Sequence, residues 1–406
     1  MHTHRRKGTN FADMQEMNRS LIIKLIREKQ ECSRAYLSKA TGLKQPSITN
    51  IINDLIDFGL VKETGLISGE KGRRSIGLTL DSSKYKVVGL KLSREYFSLG
   101  IFDISAKEYE FKHIDIDVNK GPDIVLDKIK ITIQEVLKKY RSNFFIGIGI
   151  ALPGPFFRNE GRIALMTNFP GWENIFIKDK IQSYFDLPVF LEQDANAGAL
   201  AEWWFGSNNI NKGSMIYVAA GQGIGAGIII DGQIVSGALG TAGEIGHMSI
   251  NFNGPLCECG NHGCLEYYCS TKALLREINK KVKNYPNTTL TKESSLQSVF
   301  DAIVNGDQLA TKAFEEVAYY LGFGLVNVIN ILNPDMIVIG DELAQIGPQL
   351  LNIVNDTIAK HTLPSINKKI YIKTSSLIRD SALIGASAVV TNNFLQKPSS
   401  FLQKPF

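Results

Sequence analysis

Three cysteines within Cys257-Glu258-Cys259-Gly260-Asn261-His262-Gly263-Cys264 restrict this chain more than any other stretch of it. Cys-x-Cys-x4-Cys with a nearby histidine has the spacing of a zinc site, and three thiolates plus one imidazole make a closed tetrahedral ligand set. Gly260 and Gly263 let the backbone wrap a small ion. Four protein ligands leave no open position for an activated water, so the expected Zn2+ is a structural brace. Two histidines compete for the fourth position. One is His247, upstream in Gly243-Glu244-Ile245-Gly246-His247; the other is His262, inside the loop.

The 406 residues exceed one ordinary core, so two or three domains are expected. With 44% hydrophobic and 21% charged residues the composition is that of a soluble globular chain. The longest apolar run, Phe144 to Phe157, is broken by Gly147, Gly149, Pro153, Gly154 and Pro155, too short and interrupted for a membrane span of about twenty residues. The N-terminus is polar and basic without an apolar segment, so no secretory signal is read there. Five cysteines, three of them in the metal pattern, point to a reducing, cytoplasmic compartment, with Cys32 and Cys269 as free thiols.

Charge is unevenly placed. Residues 1–80 hold 14 Lys+Arg against 8 Asp+Glu, and the remainder 31 against 32, so the net positive charge lies in the first fifth and suggests a polyanionic partner there. Met14, Met17, Leu21, Leu25 and Ile26 recur at helical spacing. Ser33 reads as the cap of a second helix, Arg34 to Ala40, that stops near Gly42. A third helix follows with Pro46 in its first turn and an inward stripe of Ile48, Ile51, Ile52, Leu55 and Ile56. Its other face begins with Gln45, Ser47, Thr49 and Asn50, side chains suited to reaching base edges in a major groove. Beyond Gly59, two strand-like runs flank Lys71-Gly72-Arg73-Arg74, a wing whose Arg73 and Arg74 would meet phosphates or a minor groove. The whole predicts a winged helix-turn-helix that reads double-stranded DNA, although a three-helix unit with a hairpin also serves as a protein-interaction module.

From Tyr85 onward, apolar runs alternate with turn signals: Val87 to Leu92, Ser98 to Ile104, a helical stretch Ile124 to Lys139, then Phe144 to Ala151. A second set begins with Met215 to Ala220, Ala226 to Ile230 and Gln233 to Val235, followed by helix from Leu309 to Leu332 and a strand Met336 to Ile339. This is α/β patterning.

Several words of this sequence resemble the ROK family of sugar kinases and repressors. The stretch Gly243 to His247 followed by Cys257 to Glu266 is similar to that family's Gly-Glu-x-Gly-His and Cys-x-Cys-Gly-x-x-Gly-Cys-x-Glu words. Gly149 to Pro155, Asn168-Phe169-Pro170-Gly171-Trp172 and Gln193-Asp194-Ala195-Asn196-Ala197 look like three more. The resemblance spans nearly all of residues 10–390. It implies a two-lobed actin and hexokinase-like fold behind the winged helix-turn-helix, and Zn2+ held by His247, Cys257, Cys259 and Cys264 with the second ring nitrogen of His247 facing a sugar. It further implies a monosaccharide pocket lined by Asn168, Gln193, Asp194, Glu244, His247 and Glu266. Carboxylates and amides suit a sugar because vicinal hydroxyls both donate and accept. In kinase members the Asp at position 194 would deprotonate a sugar hydroxyl. Gln193 stands where the family has Asn, a longer amide that crowds the site.

The nucleotide words are eroded. Where the kinases carry Asp-x-Gly-Gly-Thr, this chain has Lys91, then Ser93, Arg94 and Glu95, which removes the glycines that approach phosphates and adds a glutamate that repels them. The second Gly-rich turn, Ala220 to Gly227, keeps its glycines but has Gln222 in place of Thr, and Ile339-Gly340-Asp341-Glu342 lacks a Gly pair. The reading is therefore a non-enzymatic, sugar-responsive repressor of carbohydrate genes, in the class of the xylose and N-acetylglucosamine repressors. It would act as a homodimer or homotetramer on operator DNA, with a monosaccharide or sugar phosphate as effector. Expected boundaries are 1–82 for the DNA-binding domain, 83–194 for a first lobe completed by a helix at about 381–396, and 195–380 for a second lobe with the zinc loop. Its rivals are an active sugar kinase with a fused DNA-binding domain and a repressor controlled by a protein partner.

Overall fold

Asn10 and Asp13 accept each other's amides, and this reciprocal cap opens the first helix, α1 (Phe11–Lys29). The protein was analysed as a computed structural model, which describes residues 10–68, 74–157, 161–163, 171–172, 175–207, 213–367, 369–377 and 379–402. A short strand β1 (Cys32–Ser33) leads to α2 (Arg34–Thr41), where Ser33 Oγ accepts from the Tyr36 amide and Gly42, at φ 74°, closes the helix. Next come α3 (Gln45–Asp57), with Pro46 in its first turn, β2 (Val61–Ser68) and β3 (Arg74–Leu80). The two strands pair antiparallel and β1 joins the free edge of β3, giving the order β1-β3-β2. β1 is too short to carry an alternation and was not expected.

The interior of α3 follows its stripe, with Ile48, Ile52 and Leu55 fully buried. On α1 the expected series holds only at its C-terminal end: Ile26 is buried, Leu25 packs against the same core and the other buried positions are Ile22 and Ile23, while Met14 and Met17 are 50% and 64% exposed. Two apolar series at three- and four-residue spacing lie side by side on this helix, and periodicity alone does not say which one faces inward.

Then follow β4 (Tyr85–Leu92), β5 (Tyr96–Asp103), β6 (Glu108–Asp115), α4 (Pro122–Lys139), β7 (Phe144–Leu152), the two-residue strands β8 (Phe156–Phe157) and β9 (Arg162–Ile163), α5 (Ile177–Gln182), β10 (Val189–Gln193) and α6 (Asp194–Phe205). Five of these strands form a mixed sheet in the order β10-β7-β4-β5-β6, with β7 parallel to both of its neighbours. Its middle strands are buried along their length, which is why they read as continuous apolar runs. Edge strand β6 alternates half-buried and exposed positions with charges between them.

A second five-stranded sheet is built from β11 (Ser214–Ala220), β12 (Ile224–Ile230), β13 (Gln233–Ile234), β14 (Met336–Gly340) and β15 (Tyr371–Thr374), in the order β13-β12-β11-β14-β15. Between β13 and β14 run α7 (Leu265–Cys269), α8 (Thr271–Lys281), α9 (Leu296–Val304) and α10 (Gln308–Leu332), and between β14 and β15 run α11 (Pro348–His361) and α12 (Pro364–Asn367). These helices, α10 foremost, cover one face of the sheet with a core that includes Val218, Ile337, Phe314 and Leu325.

The chain ends with α13 (Ser381–Gln396) and α14 (Pro398–Leu402). α6 and α13 pack together between the sheets, with small residues, Ala197, Ala382 and Ala386 among them, where they meet. A Cβ on Gly385 of α13 would lie 1.9 Å from the Ala197 carbonyl oxygen, and one on Gly227 of β12 2.2 Å from that of Ala195. The mixed α/β architecture is the one expected. Phe401 stacks on Phe190 and meets Phe394 edge-on, so apolar contact docks α14.

Candidate ligand cleft and metal centre

One cleft gathers most of the residues named from sequence. Its walls are Lys91, Ser93 and Arg94 at the end of β4, Pro153 to Pro155 after β7, Gln193 and Asp194 at the β10–α6 junction, Gln222 to Gly225 between β11 and β12, Glu244, His247, Glu266, Asp341 and Glu342. Strands of both sheets end here, where α/β folds collect ligand-binding loops. Asn168 lies outside the described residues. Glu95 is exposed and is not part of the cleft wall, so the repulsion expected from it is not carried by this geometry.

Gln193 does more than crowd the cleft. Its Nε2 donates to Glu244 Oε1 at 3.0 Å, and its side chain lies against Gly154 so closely that a Cβ there would be 2.5 Å from Nε2. The extra methylene thus carries the amide across to Glu244, leaving Gln193 Oε1 buried without a hydrogen-bond partner among the described residues. Glu266, in the first turn of α7, accepts from the Ile224 amide at 2.9 Å. The Gly-rich turn therefore has a packing reason for its composition. A Cβ at Gly223 would lie 2.7 Å from Glu266 Oε2, and one at Gly221 2.8 Å from Asp341 Oδ2.

Electrostatics on the cleft floor are dense. Burial raises the Asp194 carboxyl to about 6; Lys91 opposes the shift and Asp341 adds to it. Burial likewise pushes Glu244 up to about 7, helped by Asp194 and Glu266. Lys91 itself is buried, which disfavours its charge, but Asp341 and Asp380 overcome this and raise its pKa; its Nζ bonds directly to Asp380 Oδ2. Sequence reading treated Lys91 as a lost motif residue. Its role as counter-ion to Asp194, Asp341 and Asp380 was hidden, because 289 residues separate Lys91 from Asp380.

His247, Cys257, Cys259 and Cys264 bring one ligand atom each to within 4.8 Å of one another. The Cys259 and Cys264 sulfurs are 3.7 Å apart. Zinc–sulfur bonds of about 2.3 Å at a tetrahedral angle require about 3.8 Å between sulfurs, so the donor set and its size fit Zn2+. His247 Nδ1 is 3.9 Å from Cys257 Sγ, while Nε2 lies 4.0 Å from Glu244 Oε2. His262 is not in the cluster: it is exposed, with Nδ1 3.0 Å from the Gly254 carbonyl oxygen. The metal residues and the cleft thus share His247 and Cys259.

At the other end of the chain Gln45, Ser47, Thr49 and Asn50 are all exposed in the first two turns of α3. Arg74 is exposed where β3 begins, opposite Ser68; Arg73 lies outside the described residues. No described helix is long and apolar enough to cross a membrane.

Residues 87–393 match the ROK family, and the chain belongs to it. Its relatives include xylose repressors of Caldicellulosiruptor bescii, 31% identical over 398 residues (96% of this chain, 99% of that one), and of Bacillus spizizenii, 32% identical over 384 residues (94% and 97%). Among solved structures, a ROK family transcriptional regulator described as a homolog of E. coli MLC superposes with a TM-score of 0.82 at 27% identity, covering 96% of this chain and 98% of that one. A ROK hexokinase from Thermus thermophilus superposes with a TM-score of 0.61 at 26% identity, covering 75% of this chain and 97% of its own.

Proposed function

We propose that this protein is a sugar-responsive transcriptional repressor whose N-terminal head, residues 1–82, binds operator DNA, and whose two lobes, 83–194 with the helix 381–396 and 195–380, close on a monosaccharide or sugar phosphate. One observation carries the reading. Repressor relatives align along 94–96% of the chain, whereas the hexokinase is covered almost completely by 75% of it. What this chain has beyond the hexokinase is the head, with its basic charge and the polar face of α3.

In this reading α3 enters the major groove with Gln45, Ser47, Thr49 and Asn50, and the β2–β3 hairpin brings Arg73 and Arg74 to the backbone. Asn168, Asp194, Glu244, His247 and Glu266 meet the sugar hydroxyls, with Gln193 holding Glu244. Zn2+ on His247, Cys257, Cys259 and Cys264 would fix the loop that carries His247 and Glu266; when bound it supplies rigidity and not chemistry. Lys91 in place of the kinase aspartate favours binding without turnover. The compartment is cytoplasmic and the assembly a homodimer or homotetramer, since such heads read paired half-sites.

The test is fluorescence anisotropy on DNA from upstream of the protein's own gene, at fixed salt, titrated with monosaccharides and their phosphates. Operator affinity should change about five- to 150-fold with one of them, a coupling of about 1–3 kcal/mol. Sugar-dependent ATP consumption would overturn the non-enzymatic assignment, and release by a cell extract but by no sugar would favour a protein effector.

A further inference from the structure

The core of the head is continuous with that of the first lobe: Ile22, Ile26, Leu37 and Ile52 share one cluster with Tyr85, Ile146 and Phe394. Two helices reach this junction from the cleft. α6 begins at Asp194 and α13 is capped by Asp380, the carboxylate that holds Lys91, so both N-termini lie on the cleft floor. Their far ends meet the head. Phe394, near the end of α13, packs on Tyr85 of β4 with ring centroids 4.9 Å apart, and the Tyr85 hydroxyl donates to the Phe58 carbonyl oxygen of the head. Trp204, in the last turn of α6, lies under Arg27 of α1, the guanidinium carbon 3.6 Å from the ring centroid.

Twelve helical residues make α6 about 18 Å long. From Ala195 to Glu202 it is buried, and glycines 385 and 227 bring neighbouring backbones against it with no side chain between. Such packing has no soft layer in which a displacement could be absorbed, so a shift at one end moves the other. Arg27 is the natural receiver. It is largely buried, which lowers its pKa to about 10, and among the described residues no carboxylate pairs with it; the indole face is its partner. Beside it lies a cavity of 120 Å3 bordered by Lys24, Trp203, Asp231, Asn392 and Gln396, room in which the contact can be remade.

We propose that α6 carries the state of the cleft to the DNA-reading head, with Trp204 against Arg27 as the output contact. The function of this coupling rests on the repressor reading above; its existence does not. The deciding experiment is amide hydrogen exchange on the full chain, comparing wild type with Asp194→Asn, alone and in Arg27→Gln and Trp204→Leu backgrounds. Asp194→Asn should change exchange in residues 22–29 by at least about threefold and should leave it unchanged in both backgrounds. No response in α1, or an undiminished one with Arg27→Gln, overturns the proposal. In a second arm, the about five- to 150-fold effect of sugar on operator affinity should fall below about twofold in Arg27→Gln with sugar affinity retained. A wild type that ignores every sugar refutes the ligand reading, and the exchange arm still decides the coupling.

Discussion

Replacing Asp194 by Asn tests the electrostatics of the cleft without any ligand. Asp194 faces Lys91, Asp341 and Asp380 and accepts from the Ala195 amide; burial and the two carboxylates outweigh the cation and raise its pKa from 3.8 to about 6. A carboxyl raised on folding binds a proton that the unfolded chain has released, so stability falls as pH rises through the window from 3.8 to about 6. Below that window the charge is absent from both states and costs nothing; above it the cost is complete. A rise of about 2.2 units, at 1.36 kcal/mol each, sets the cost at about 3 kcal/mol. Asn cannot ionise and avoids it. If all 406 residues unfold together, an unfolding entropy of about 2.1 cal/mol/K per residue turns this into a melting temperature about 3.5 °C higher for Asp194→Asn at pH 7.5, shrinking toward zero near pH 4. Calorimetry of both proteins across that range provides the measurement. A difference that stays constant with pH would mean that Asp194 is not held in the raised state, and the account of the cleft floor would fall.

Other consequences can be checked on the same preparation. Cys264→Ser should reduce bound zinc from one per chain to none and lower the melting temperature, whereas Cys32→Ser should leave zinc content unchanged, because Cys32 lies in the head; full zinc in Cys264→Ser would dismiss the four-residue site. Gly385→Ala should destabilise by up to about 2 kcal/mol, since moving a methyl from 1.9 Å to contact distance must part α6 and α13, at about 1–3 kcal/mol against about 1 kcal/mol of helix propensity gained; a melting temperature above wild type would refute that contact. Arg74→Ala should weaken operator and random DNA alike and reduce the slope of log K against log salt by about 0.9, whereas Asn50→Ala should weaken only the operator, by about 1–3 kcal/mol. Equal loss on both DNAs from Asn50→Ala would remove α3 from base reading.

Legibility in the sequence followed the range of the interactions. Ser33, Gly42 and Pro46 act within a turn of where they stand, and their helix ends were readable to within a residue or two. Parallel strands buried on both faces announced themselves as apolar runs, as in Phe144 to Leu152. The metal-type cluster was visible because three of its four residues fall within eight positions; spacing left His247 and His262 open, the family resemblance pointed to His247, and the fold puts His247 in the cluster and turns His262 toward the Gly254 carbonyl oxygen. Gln193 showed as a departure from pattern, and only the structure reveals that its reach ends on Glu244. Contacts such as Lys91 with Asp380 or Arg27 with Trp204 join segments far apart in the chain, and no local pattern marks either partner.

The position of Lys91 ties the eroded nucleotide word to the proposed signalling. Asp341 and Asp380 raise the proton affinity of Asp194, Asp380 raises that of Asp341, and Lys91 opposes both shifts from the same cleft floor. Such a cluster calls for a cation, and in a phosphoryl-transfer site a divalent metal brought with the nucleotide supplies it. Here β4 supplies it from within, as a side chain that cannot leave. Asp194 and Asp380 stand at the starts of α6 and α13, so Lys91 is bonded to the start of α13 and attracts the carboxylate at the start of α6. In the proposed repressor, loss of turnover and gain of a fixed reference point would follow from one substitution: the floor would need no nucleotide or metal to be neutralised, and the free energy that moves the helices would be left to the ligand bound above it.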